Sequence, residues 1–131
     1  MPRFIIFARS SLDSEAEFKP DPEMMKAMGE YNATMREAGI LFSVEGLHRS
    51  SRDSRRIVFQ SPGPPTIQSG PFPADELVQG FWIVQVKDVN EAVAWAVKCP
   101  SHALKGNVTE VRRIASAEDF EDVKSPGLEE K

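Results

Sequence analysis

The stretch RFIIFAR, residues 3–9, decides what this chain builds, and FWIV, residues 81–84, repeats its message. Phe4 to Ala8 is an unbroken apolar run of strand length, rich in aromatic and β-branched residues and closed at both ends by arginine. Side chains along a strand point to alternate faces, so an unbroken run puts apolar groups on both faces at once. Phe81-Trp82-Ile83-Val84 does the same inside the stretch Leu77–Lys87. A run this short cannot span a membrane and no small-residue cleavage site follows it, so both stretches are read as strands. A sheet containing them has to be covered on both sides.

Working outward, Ser10–Pro20 is polar and aperiodic and is expected to be a loop. Asp21-Pro22-Glu23 then supplies an N-cap, a proline at the first helical position and an acid in the first turn. Met24, Met28, Tyr31, Met35 and Ala38 form one apolar stripe at helical spacing, and Gly39 stands where a left-handed cap ends such a helix. Ile40–Val44 begins a second strand running toward His48, with Arg55–Gln60 expected as its hairpin neighbour, closed by Pro62-Gly63-Pro64-Pro65. Thr66–Ser69 reads as a short strand. Asp88 caps a second helix with Val89, Ala92, Val93 and Ala96 on one face, ending before Pro100. Asn107–Ile114 makes the last strand.

This order is that of an α+β, ferredoxin-like antiparallel sheet with two helices on one face. Residues 1–120 are expected to form one domain, with 121–131 an acidic flexible tail. Two helices cover only one face, so the apolar groups on the other call for a partner. A two-fold homodimer packing sheet against sheet is the simplest answer.

Composition narrows the function. The chain has 131 residues, a net charge of −4 with both signs interspersed, and one cysteine, Cys99. That excludes an internal disulfide and argues against nucleic acid or membrane as partner. A reducing, cytoplasmic setting is expected. Neither metal-ligand spacing nor a phosphate-cradling glycine loop occurs, so no cofactor is expected.

Several stretches together resemble the DGPF branch of the YCII-related proteins. They are Ala27-Met28-Gly29-Glu30-Tyr31-Asn32, Ala38-Gly39-Ile40-Leu41, Glu45–Ser51, Ser69-Gly70-Pro71-Phe72, Glu76–Ile83, and Glu91–Ala96 with Cys99-Pro100. The likeness runs from about residue 3 to 120. It implies a dimeric α/β-barrel related to ferredoxin-like folds, in a cytoplasmic setting. Two departures are visible: Ser69 stands where the family's corner usually has aspartate, and Met28–Tyr31 lacks the helical histidine of the wider group's acid/base dyad.

His48, at a strand end, is the candidate acid/base, and Glu76, just after the corner, the second. Strict alternation sends Glu45 to the face opposite His48. Arg49 and Ser50 would orient polar substrate groups, with Ser69, Gly70, Phe72, Phe81 and Trp82 framing the pocket. Gly70-Pro71-Phe72 is a rigid corner in which glycine opens the backbone, proline fixes it and Phe72 anchors it. Arg49, Arg52, Arg55 and Arg56 read as a solvated hairpin tip, Cys99 as a buried small apolar residue and His102 as a surface loop residue. Two functions fit. One is a cofactor-independent isomerase, cyclase or lyase moving protons on a small organic molecule, and the other a non-catalytic dimeric small-molecule-binding or accessory protein.

Overall fold

Along the first apolar run the side chains alternate as a strand requires: Phe4, Ile6 and Ala8 are buried, while Ile5 and Phe7 are half-buried on the other face. The structure, a computed structural model, describes residues 1–16, 21–100 and 108–121. In chain order it has β1 (Arg3–Arg9), α1 (Leu12–Ala16), α2 (Pro22–Glu37), β2 (Leu41–Gly46), β3 (Arg55–Val58), β4 (Thr66–Ser69), β5 (Val78–Gln85), α3 (Val89–Ala96) and β6 (Thr109–Arg113). Short 3-10 turns occupy Ala74–Glu76 and Ala117–Phe120.

Four strands form an antiparallel sheet in the order β2-β5-β1-β6. The two unbroken apolar runs are therefore its central strands, with Ile6 opposite Trp82 and Phe4 opposite Val84. With α2 and α3 on one face, this is a ferredoxin-like α+β fold. Phe4, Ile6, Ala8, Trp82 and Val84 meet Tyr31 and Met35 of α2 and Ala92 of α3 in one core. Its polar groups are satisfied. The Trp82 indole donates to Asn32 Oδ1 at 2.7 Å, the Tyr31 hydroxyl donates to the Trp95 carbonyl at 2.7 Å, and the two rings meet edge to face at 5.7 Å.

The helices start where their caps are. Asp21 accepts from the Glu23 amide at 3.1 Å with Pro22 opening the helix, and Asp88 accepts from the Glu91 amide at 2.9 Å. Gly39 takes φ 75°, a left-handed conformation that ends the α2 segment before the chain enters β2.

Two expectations are corrected. Arg55–Gln60 is not the neighbour of β2: β3 pairs with β4 in a separate two-stranded sheet, Ile57 opposite Ile67. The proline turn reverses the chain at once, which makes Thr66–Ser69 the nearest complement, and β2 pairs with β5 alone at the edge of the four-stranded sheet. Ser10–Pro20 is not wholly loop, because Ser11 and Ser14 cap each other's amides, at 2.8 and 3.1 Å, and start α1. Before the tail, Ala117–Phe120 is a 3-10 turn whose N-cap Ser116 exchanges bonds with Asp119. The readings of residues 17–20, His102, Asn107 and the tail beyond 121 fall outside the described residues.

Opposite the helices, the sheet presents Ile5, Phe7, Phe81 and Ile83, all half-buried, and Phe42, which is 61% exposed. An irregularity between Leu41 and Ser43 turns Phe42 to this side, where the Arg3 guanidinium lies 5.0 Å from its ring. No helix among the described residues is long and apolar enough to cross a membrane.

Candidate functional site at the Gly70-Pro71-Phe72 corner

β2 and β5 are antiparallel neighbours, and the chain between them makes a long excursion that carries almost every candidate residue. It leaves the sheet at Leu47, whose amide donates to the Gln79 carbonyl at 2.8 Å, and returns at Leu77, whose carbonyl accepts from the Ser10 amide at 3.0 Å. The centre of the excursion is Ser50, only 5% exposed and the one polar residue in the described chain that is fully buried.

Ser50 joins three remote pieces of chain. Its amide donates to both oxygens of Glu15 on α1, at 3.1 and 3.0 Å, and its hydroxyl donates to the same carboxylate. The hydroxyl also accepts from the Phe72 amide at 2.9 Å. Its carbonyl accepts from the Ser54 hydroxyl, and the Ser54 carbonyl accepts from the Gly70 amide at 3.3 Å. The corner is thus seated on residues 50–54 and braced from behind by α1.

That seat explains Gly70. A Cβ there would lie 1.9 Å from the Ser50 carbonyl oxygen and 2.9 Å from its carbonyl carbon, so only glycine lets the two backbones approach this closely. Phe72 is then half-buried beneath Arg56, whose guanidinium sits 4.2 Å from the ring centroid. The same guanidinium pairs with Glu76 at 2.7 Å.

Of the residues singled out from the sequence, Ser50, Gly70, Phe72 and Glu76 are brought together at this corner. Glu76 is exposed and held by Arg56, and Ser50 has its proton and one lone pair committed inside the chain. Arg49 turns toward α1, where Nη1 donates to the Ala16 carbonyl at 3.1 Å and Nε is buried without a hydrogen-bond partner among the described residues. His48 lies exposed on the rim with Nε2 3.3 Å from Nη1 of Arg52. Ser69 is exposed at the end of β4, opposite Arg55.

Phe81 and Trp82 are not brought together. Adjacent strand residues face opposite ways, which puts Trp82 in the core under the helices and Phe81 on the open face of the sheet. Nor is the arginine cluster a solvated tip throughout: Arg49, Arg52 and Arg56 hold α1, His48 and the Phe72–Glu76 corner respectively. Glu15, Ser54 and Arg56 are the contributors that sequence reasoning missed. Ser11-Leu12-Asp13-Ser14, a spacing that allows mutual capping, was the available signal for a helix that presents Glu15.

Cys99 adds no nucleophile, because burial pushes its thiol up to about 11. Burial, with a lesser contribution from Cys99, likewise raises Tyr31 well above the ordinary range of a phenol. Among the described residues no group of three or more His, Cys, Asp and Glu side chains is placed to hold a metal ion.

No curated protein matches the chain. The family model for the YCII-related domain matches residues 3–118, taking in the whole sheet, both long helices and the Ser50-centred corner. On that match, which spans most of its length, the chain belongs to the YCII-related family.

Proposed function

We propose that this YCII-related chain is a homodimeric module that binds a small, partly apolar organic molecule without turning it over. The observation that carries the reading is that the corner's polar groups are spent on the corner itself. The Ser50 hydroxyl lies between Glu15 and the Phe72 amide, and Glu76 is neutralised by Arg56. A pair meant to move protons needs lone pairs directed at a ligand, and here they are directed at neighbouring chain. What remains is a rigid rim beside an apolar sheet face, which suits holding a molecule in place. The half-buried Ile5, Phe7, Phe81 and Ile83 support a dimer in which a second copy covers that face. The single buried, protonated thiol suits a reducing cytoplasm.

The test is native mass spectrometry of the purified dimer after exposure to a metabolite extract. A bound molecule recovered chemically unchanged after long incubation, with His48→Ala and Glu76→Gln retaining it, is the expected result. Conversion of that molecule, lost in His48→Ala, would overturn the reading in favour of a proton-transfer isomerase, cyclase or lyase. One observation speaks for that second reading: the His48 imidazole is exposed on the rim, where a ligand can reach a residue type suited to general acid/base work.

A further inference from the structure

The β3–β4 ribbon is a second apolar surface that nothing among the described residues of its own protomer covers. A two-stranded ribbon in isolation is marginal in water, so one with bare apolar groups has a use for them. Alternation gives it two sides. Arg56 lies on the side turned to its own body, where it holds Phe72 and Glu76. Arg55 and Ile57, with Ile67 directly opposite Ile57, lie on the other side. Ile57 is 54% exposed and Ile67 66%, and Phe59, two residues beyond Ile57, is 82% exposed. The outward side is therefore apolar with a cation at its base.

The open sheet face has the matching composition along its edge strand. β2 ends one side of the sheet and shows exposed Phe42 at one end and exposed Glu45 at the other. Glu45 has neither an ion pair nor a side-chain hydrogen bond among the described residues. Arg55 spends one guanidinium nitrogen on the adjacent Ser54 carbonyl, at 2.8 Å, and has no acidic partner among the described residues. The spacings also agree. Strand rise of about 3.3 Å per residue sets Phe42 and Glu45 roughly 10 Å apart, between the roughly 7 Å from Arg55 to Ile57 and the roughly 13 Å from Arg55 to Phe59.

We infer that the β3–β4 ribbon is an arm that docks on a second copy of this chain, at the β2 side of its open sheet face. Arg55 meets the partner's Glu45, while Ile57, Phe59 and Ile67 cover the partner's Phe42. A two-fold axis makes the contact reciprocal, so each copy's arm covers the other's sheet edge. The inference rests on the dimer proposed above and adds which element closes it. It also places the arm that carries Arg56, and through Arg56 the Phe72 corner, at the junction between the two copies.

Sedimentation velocity on the full chain across a micromolar concentration series tests it. The expected results are a wild-type dimer, a dissociation constant raised roughly tenfold or more by Arg55→Glu and by Glu45→Arg singly, and recovery of most of that loss when the two changes are combined. Ile57→Ser with Ile67→Ser should weaken the dimer at least as much while leaving the circular dichroism of the sheet and helices unchanged. As a folding-independent check, single Arg55→Cys and Glu45→Cys proteins are mixed and oxidised, and a mixed disulfide across protomers is expected. A wild-type monomer would overturn both this inference and the dimer beneath it. A wild-type dimer unmoved by these substitutions and yielding no mixed disulfide would overturn the arm alone.

Discussion

Replacing Ser50 by alanine removes one oxygen and should cost far more than an average surface change. The hydroxyl is the acceptor for the Phe72 amide at 2.9 Å and a donor to Glu15, inside a residue only 5% exposed. Without it the Phe72 amide is buried with no acceptor, a loss of about 1–3 kcal/mol. Glu15 keeps the Ser50 amide and is itself half-exposed, so water replaces much of its missing bond and the added loss is about 1 kcal/mol or less. The total is about 1–4 kcal/mol. In a chain of this size each kcal/mol moves the melting temperature by about 4 °C, which gives a fall of roughly 4–16 °C. Thermal melts followed by near- and far-ultraviolet circular dichroism measure it, with a urea series to show that the m-value is unchanged. Ser51→Ala, at the exposed neighbouring position, is the control and should stay within about 0.5 kcal/mol of wild type. Glu15→Gln keeps an acceptor and should lose less than Ser50→Ala, and the double variant should lose less than the sum. A Ser50→Ala protein that melts with the Ser51→Ala control would refute the reasoning. It would mean that the hydroxyl does not hold the corner and is available to a ligand.

Gly70→Ala forces a Cβ into the Ser50 carbonyl at 1.9 Å and against the Ser54 hydroxyl, so it should lower stability by more than about 3 kcal/mol or prevent soluble expression. Ser69→Ala, one residue earlier and exposed, should not. For Cys99, the folded thiol keeps its proton up to about 11 while the unfolded thiol ionises from its ordinary 9.0. The folded state then holds more protons, so Cys99 should lower stability as pH rises from 9 toward 11, by about 1.4 kcal/mol per unit at most, and Tyr31, also raised, should add to the fall above its ordinary 10.0. Urea midpoints across that range should show the slope and Cys99→Ala should flatten it below pH 10, while a thiol reagent at pH 8 should label the native chain far more slowly than the unfolded one.

The parts of the fold that follow from period and capping were legible in the residues. Phe4–Ala8 and Phe81–Val84 could only be central strands, and Asp21, Gly39 and Asp88 marked helix ends by local hydrogen-bonding chemistry that needs no tertiary information. The partner of β3 was not legible, because β2 is an edge strand, so among the described strands β2 and β4 both offered β3 a partner and only the folded chain shows which one takes it. The rigidity of the corner was legible in Gly70, Pro71 and Phe72, but its cause was not. Glu15, Ser50 and Phe72 are remote in sequence, and only the folded chain shows that a short polar helix supplies the carboxylate that holds them. For the same reason Arg56 read as solvated, since its partners Phe72 and Glu76 lie across the ribbon. The adjacent pair Phe81-Trp82 shows the opposite error, neighbours in sequence that strand geometry places on separate faces.

The excursion between β2 and β5 has an evolutionary corollary. Gly46 already pairs with Gly80, so a tight turn of a few residues would complete the sheet without residues 47–77. Closing the longer segment instead adds only about 2 kcal/mol of chain entropy, because that cost grows with the logarithm of length. Descendants of one ancestral scaffold can therefore lengthen, trim or rewrite this appendage while the folding nucleus beneath it stays untouched. Divergence in what such proteins recognise is expected to concentrate here, leaving the four-stranded platform as shared inheritance.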